Sequence, residues 1–371
     1  MAMLRVLLAA TCLLLWSCTP PASGGWRNLA PMIDVHESFG ALALPDGGVL
    51  VVGGHFINAT HRRVDTVEVY DAVADRWTKT ASMLETREGV GAMHLLSNGR
   101  VLVSGEHNTR TGSELFDFTT MTWTATGSLN VGRGSHVSAL LNDGRVLVAG
   151  GIDWLSPNTP CFDSAELYDP SSGRWTLTSA MRHRRNGAMG AKLADGRVMV
   201  MGGYEDESSL RFLRSAEIFD PTRGTWTLTS EASREIGNAG MVRLSDGRVL
   251  LAGGVTRVGG KDTSRAEAEI YDPATDTWAP TGSMATPRSQ FPLLLLDDGR
   301  VLAVGGVLRP QGKALAEAET FDPTSGTWSP AGRLAVQRWN HRVLRVGRQV
   351  LVLGGYNASG QLGSVEANDS F

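Results

Sequence analysis

Six residues ahead of short apolar runs have side chains that could do chemistry: His36, His136 and His341, with Arg133, Arg185 and Arg338. Guanidinium groups grip carboxylates, phosphates and acidic sugars through bidentate, charge-assisted hydrogen bonds. Imidazoles add proton transfer and, where three converge, metal ligation. Cys161 contributes a thiol on a loop. Apart from Arg133 with His136 and Arg338 with His341, each three residues apart, they are scattered along the chain, so their chemistry depends on a fold that gathers them.

The positioning elements announce themselves by repetition. Trp26, Trp77, Trp123, Trp175, Trp226, Trp278 and Trp328 are nearly evenly spaced, and Asp-Gly-Arg-Val begins at Asp143, Asp195, Asp246 and Asp298. A period of about 50 residues marks a propeller array, in which neighbouring units share one core. The 371 residues therefore read as one structural domain despite a length that would suit two.

One unit shows why. Residues 136–141 read as a first strand, and Asn142-Asp143-Gly144 as a two-residue type I′ hairpin turn. Residues 145–149 form a second strand, apolar enough to be buried on both faces, ended by Gly150-Gly151. Residues 165–168 are a third strand stopped at Asp169-Pro170, since proline cannot donate to a ladder. A fourth begins at Trp175. Four antiparallel strands make one blade. After Trp328 the chain supplies only three more strands, while residues around Trp26 match a lone fourth strand. The reading is an all-β, seven-bladed propeller closed by pairing its N- and C-terminal strands, which removes an open edge.

The Gly-Gly pair after an aliphatic strand, the Glu-x-Tyr/Phe-Asp-Pro third strand and the trailing tryptophan resemble kelch repeats over residues 26–371. Within that family the likeness is to galactose-oxidase-like kelch domains and bacterial surface kelch proteins. The resemblance implies a binding scaffold, with two enzymatic alternatives: sugar-acid isomerase or lyase chemistry, or a copper oxidase. The copper site of kelch oxidases uses two tyrosines, two histidines and a thioether-forming cysteine. Cys161 falls on a suitable loop, but its tyrosine partner and the histidine pair find no match, so no cofactor is expected.

Charges that recur in every blade are expected to be structural: Glu68, Glu114, Glu166, Glu217, Glu269, Glu319 and Glu366 in one set, and turn arginines such as Arg145 and Arg300 in another. Ligand binding is expected where blades differ, on the face built from the loops leading into first strands and those following second strands. Arg133, Arg185 and Arg338 there either ring the axial mouth or pack against neighbouring backbone. His36, His136 and His341 are expected to join them around a protein, glycan or small anionic ligand. A formal charge of −3 and no cluster of Lys and Arg argue against a nucleic-acid partner. A monomer is expected.

The first residues differ from the rest. Arg5 precedes an apolar stretch, residues 6–15, too short to span a bilayer, which reads as a signal peptide over residues 1–18. Its end, Leu15-Trp16-Ser17-Cys18, resembles a bacterial lipobox, with Trp16 departing from the usual small or aliphatic residue. Residues 19–25 read as a flexible tether. The expectation is an exported protein, on the outer membrane or cell surface if held by a lipid on Cys18, otherwise periplasmic or secreted. Cys18→Ser should move the protein from the membrane to the soluble fraction, because acyl chains supply the anchor; wild-type protein without lipid by mass spectrometry would refute the assignment.

Overall fold

The computed structural model describes residues 25–35, 37–56, 62–87, 89–105, 111–153, 161–206 and 211–371. The signal peptide, Cys18, most of the tether and His36 lie outside them. The described chain forms seven four-stranded antiparallel sheets arranged as successive blades.

Hydrophobic pattern explains the radial layering. Second strands such as Val49–Val52, Val146–Ala149, Val198–Met201 and Val301–Val304 are buried at every position, as strands covered on both faces must be. Third strands run through the recurring glutamate to Asp169, Asp220, Asp272 or Asp322, and outermost strands alternate between exposed residues and one tryptophan. Each of six tryptophans packs against the aromatic residue opposite it on the third strand. Tyr70–Trp77 and Phe219–Trp226, for example, have ring centroids 4.9 and 5.0 Å apart. Most of these indoles also donate to a backbone carbonyl of the preceding blade, as Trp123 does to Ala81 and Trp328 to Gly282, both at 2.9 Å. The tryptophans thus wedge between blades, as their spacing implied.

The ring closes as expected. Arg27–Leu29 pairs antiparallel with Val365–Asn368 and completes the seventh blade, whose other strands are Gln349–Leu353 and Arg342–Val346. Trp26 packs against Phe371, and Trp77 of blade 1 donates to Ala30 at 2.9 Å across the seam.

Two local details differ from the sequence reading. The first hairpin of blades 1 to 6 is a three-residue loop, not a two-residue type I′ turn, and only blade 7 has a two-residue loop, Gly347-Arg348. Gly144 N–H donates to Leu141, Leu141 N–H donates to Arg145, and Gly144 alone takes a positive φ, +87°. That is a type I turn followed by a left-handed glycine. Asp143 earns its recurrence by capping the turn: its carboxylate accepts from Arg145 N–H at 3.0 Å and Arg145 Nε at 2.8 Å. The second difference is an addition. After the second strand, blades 1, 5, 6 and 7 extend small hairpins, among them Val255–Val258 with Lys261–Ser264 and Val307–Leu308 with Lys313–Ala314.

Removing residues 26–32 would strip the closing strand, Trp26 and the Ala30 acceptor together. Stability measured by urea denaturation should fall by about 3–5 kcal/mol, the scale of losing a packed tryptophan. An unchanged midpoint would show that this strand does not hold the ring.

Candidate ligand-binding site at the axial mouth

The loops leading into first strands are fixed by buried ion pairs. Glu166 on a third strand accepts from the backbone N–H groups of Asn130 and Val131 and from Arg133 Nη2 at 3.0 Å. Arg133 Nη1 donates to the carbonyls of Gly150 and Ser164, both at 2.8 Å. One guanidinium therefore ties the leading loop to the end of the second strand and the start of the third. Arg185 with Glu217, Arg288 with Glu319 and Arg338 with Glu366 repeat the arrangement, and Arg87 with Glu114 is a close variant. Burial pushes the pKa of Arg133, Arg185, Arg288 and Arg338 down, and the glutamate opposes that shift.

Arg133, Arg185 and Arg338, expected to reach a ligand, are instead 0% exposed, and their guanidinium groups are committed to glutamate and backbone. Their position recurs because the scaffold needs it. Blade 5 shows the same need differently: Ile236 occupies the arginine position, and Arg234 supplies Nη1 to Glu269 at 2.9 Å from two residues earlier.

His36 lies outside the described residues. His136 and His341 follow the leading loops of blades 3 and 7, at positions held elsewhere by Phe39, Val90, Ala188, Ala239 and Phe291. His341 is buried between Gly305 and Gly355, and loss of water pushes its pKa down to about 3. His136 is packed against Gly91, Gly105 and Gly151 and borders the mouth. Among the described residues no three His, Cys, Asp or Glu side chains come together as a metal site, and Cys161 is buried.

What surrounds the axis is a different set. Ser38, Gly89, Ser135, Gly187, Asn238, Gln290 and Asn340, one from each blade, all adopt the left-handed conformation with φ between +51° and +75°. Non-glycine residues there cost about 1–2 kcal/mol each, with asparagine tolerated best. The conformation turns carbonyls toward the next blade: Ser38 O accepts from Val90 N–H at 3.2 Å, and Asn238 O from Gln290 N–H at 2.9 Å. All seven residues line a cavity of about 530 Å³, together with His136, Asn186, Tyr204 and Arg342. Asn186 Nδ2 donates to Tyr204 Oη at 2.7 Å, and Arg309 Nη2 to Gln290 Oε1 at 3.1 Å. The hairpins of blades 5 and 6 are linked beside this mouth, with Arg309 N–H donating to Ser264 Oγ at 2.8 Å.

The repeat now has a structural definition as well as a sequence one. The kelch motif model matches residues 39–84, 133–182 and 191–231, within blades 1, 3 and 4 and the links that follow them. The chain is a kelch-repeat propeller. It is 25% identical over 223 residues to Kelch-like protein 36 of Bos taurus, covering 58% of this chain and 35% of that one. It is 26% identical over 258 residues to Kelch-like protein 35 of Mus musculus, covering 70% and 42%. This kelch chain thus spans less than half the length of these curated relatives. A fungal alcohol oxidase of the AA5 family, solved in complex with copper, superposes with a TM-score of 0.77 at 16% identity, covering 93% of this chain and 76% of that one. The structure of YjhT superposes with a TM-score of 0.61 at 14% identity, covering 81% and 99%. These structural likenesses establish the propeller fold alone.

Asn238, Gln290 and Asn340 stand in the loops leading into first strands, where the sequence placed ligand binding, while Ser38, Gly89, Ser135 and Gly187 are too small and neutral to stand out in a scan for charged motifs. Aligning the blades on the buried arginine finds them: the residue two positions after Arg87, Arg133, Arg185, Arg288 and Arg338 is Gly89, Ser135, Gly187, Gln290 and Asn340.

Breaking one buried pair separates scaffold from site. Arg133→Ala strips buried Glu166 of its counter-charge and two carbonyls of the guanidinium, and should lower stability by about 3–5 kcal/mol. Arg145→Ala, on an exposed turn pair, should cost no more than about 1 kcal/mol. Equal losses in chemical denaturation would contradict this division.

Proposed function

We propose that this kelch propeller is a binding module whose mouth face takes a small polar ligand or the tip of a glycan or protein. The observation that carries the reading is the ring of left-handed residues around the 530 Å³ cavity. Six of the seven leading loops are held by arginine–glutamate pairs and that of blade 1 by Glu68 accepting from Ile33 and Asp34 N–H, so the side chains of Ser38, Ser135, Asn238, Gln290 and Asn340 are presented from a rigid frame. Rigid, pre-positioned amides and hydroxyls bind hydroxyl-rich molecules without a large ordering cost. Tyr204 adds an aromatic surface with a polar end beside them. A lipid on Cys18 and the tether after it would display this face away from a membrane.

A screen of neutral and acidic glycans against the full-length protein tests the reading. A bound ligand should lose about tenfold or more in affinity on Tyr204→Ala or Asn340→Ala, and little on Arg145→Ala or Arg300→Ala at the opposite face. Sensitivity to the turn arginines alone would place the site on the wrong face and end the proposal.

A further inference from the structure

Arg342, half-buried, differs from the fully buried arginines of the frame. It begins the innermost strand of blade 7 and lines the mouth cavity. Its Nε donates to Phe39 O of blade 1 at 3.0 Å, and its guanidinium carbon lies 5.9 Å from the Phe39 ring centroid. Among the described residues no carboxylate pairs with it. Burial lowers its pKa, and no glutamate opposes the shift as one does for Arg133 or Arg338. A desolvated guanidinium with its Nη edge unpaired in a cavity is poised for an anion.

Among the described residues no Asp or Glu lines this cavity to oppose that charge. The seven innermost strands carry Lys192, Arg243, Arg342 and Arg345 and not one Asp or Glu. Arg345 is paired with Asp297, and Lys192 Nζ donates to Leu140 O at 2.9 Å. Of the four only Arg342, at the leading end of its strand, lines the mouth cavity. At the blade position of Arg342 the other blades have Gly40, Gly91, Val137, Met189, Gly240 and Pro292, so the charge is no requirement of the repeat.

We propose that the axial mouth is an oxyanion site, in which the Nη edge of Arg342 receives the carboxylate or phosphate group of a small ligand. Asn340 and Ser38, on the flanking blades 7 and 1, are placed on the same rim to bond the rest of that group. The proposal rests on the mouth being a ligand site, and adds the charge of what enters it.

Isothermal titration of the full-length protein with inorganic phosphate, with acetate and with uncharged glycerol tests this. Phosphate or acetate should bind and glycerol should not, and which of the two binds identifies the group. Arg342→Gln should weaken that binding about tenfold or more, and Arg342→Lys, which keeps the charge, should weaken it less. Asn340→Asp provides an independent arm should Arg342→Gln fail to fold: it places a carboxylate on the rim, in a conformation aspartate tolerates, and should abolish anion binding. Failure of the wild-type protein to bind either anion overturns the proposal, as does binding indifferent to Arg342→Gln or to Asn340→Asp. If instead an uncharged glycan binds at the mouth and responds to Tyr204→Ala but not to Arg342→Gln, the binding module stands and the oxyanion site falls.

Discussion

The buried arginine–glutamate pair is the constraint on which this propeller depends. A charge moved into the protein interior loses several kcal/mol of hydration, so it is stable there only when its lone pairs and protons are all met. Glu166 meets that condition with two backbone N–H groups and Arg133, and Arg133 approaches it, both terminal nitrogens bonding Glu166, two backbone carbonyls and Ser164 Oγ while Nε alone is left unbonded. The partners come from three separate stretches of chain: the leading loop, the end of the second strand and the start of the third. Satisfying the pair therefore fixes all three, and the glycine pair at Gly150-Gly151 is what lets them approach. A Cβ on Gly150 would lie 2.5 Å from Arg185 O, and Gly151 has a φ of +93°.

From that fixed loop the mouth follows. Two residues beyond the arginine the chain must turn into the first strand, and the left-handed conformation makes the turn while its carbonyl bonds the next blade. Side chains at this position are spent on no internal pairing in most blades, so they are the ones free to vary in type. Blade 5 shows that the guanidinium, and not its place in the sequence, is what the frame requires. Ile236 fills the usual position, Arg234 reaches Glu269 from two residues earlier, and Asn238 still takes a φ of +51°.

Seven blades, four strands to a blade and closure by Arg27–Leu29 were all legible, because each rests on a periodic signal: an aliphatic strand, a turn, a tryptophan. Individual side-chain roles were less so. Arg133, Arg185 and Arg338 look like ligand-seeking groups in a sequence, where nothing shows that a glutamate some thirty residues later is waiting for them. The histidines attracted attention because they do not recur, yet His341 occupies a packing position and is desolvated there. Arg342, directly beside it, carries the charge toward the axis, and its distinctiveness emerges only when blades are aligned position by position. The hairpins of blades 5 and 6 were hidden for another reason: Val258-Gly-Gly-Lys261 is a plain hairpin signal, masked by the stronger Gly-Gly signal that ends each second strand.

Closure and binding meet at one place. Arg342 sits on blade 7 but donates to Phe39 of blade 1, and Gln361 Nε2 crosses the same junction to His55 O at 2.6 Å. On its other side the junction is held by Trp77 reaching Ala30 and by the carboxylate of Glu68 accepting from Ile33 and Asp34. The most separated parts of the chain therefore converge where the unpaired guanidinium faces the cavity. A ligand that requires this geometry binds only the closed ring and stabilises it by RT ln(1 + [L]/Kd). The seam between the ends of a repeat array is ordinarily the place where its periodic contacts are poorest. With Arg342 at that seam, a ligand held by its Nη edge would act directly on the contacts that keep the ring shut.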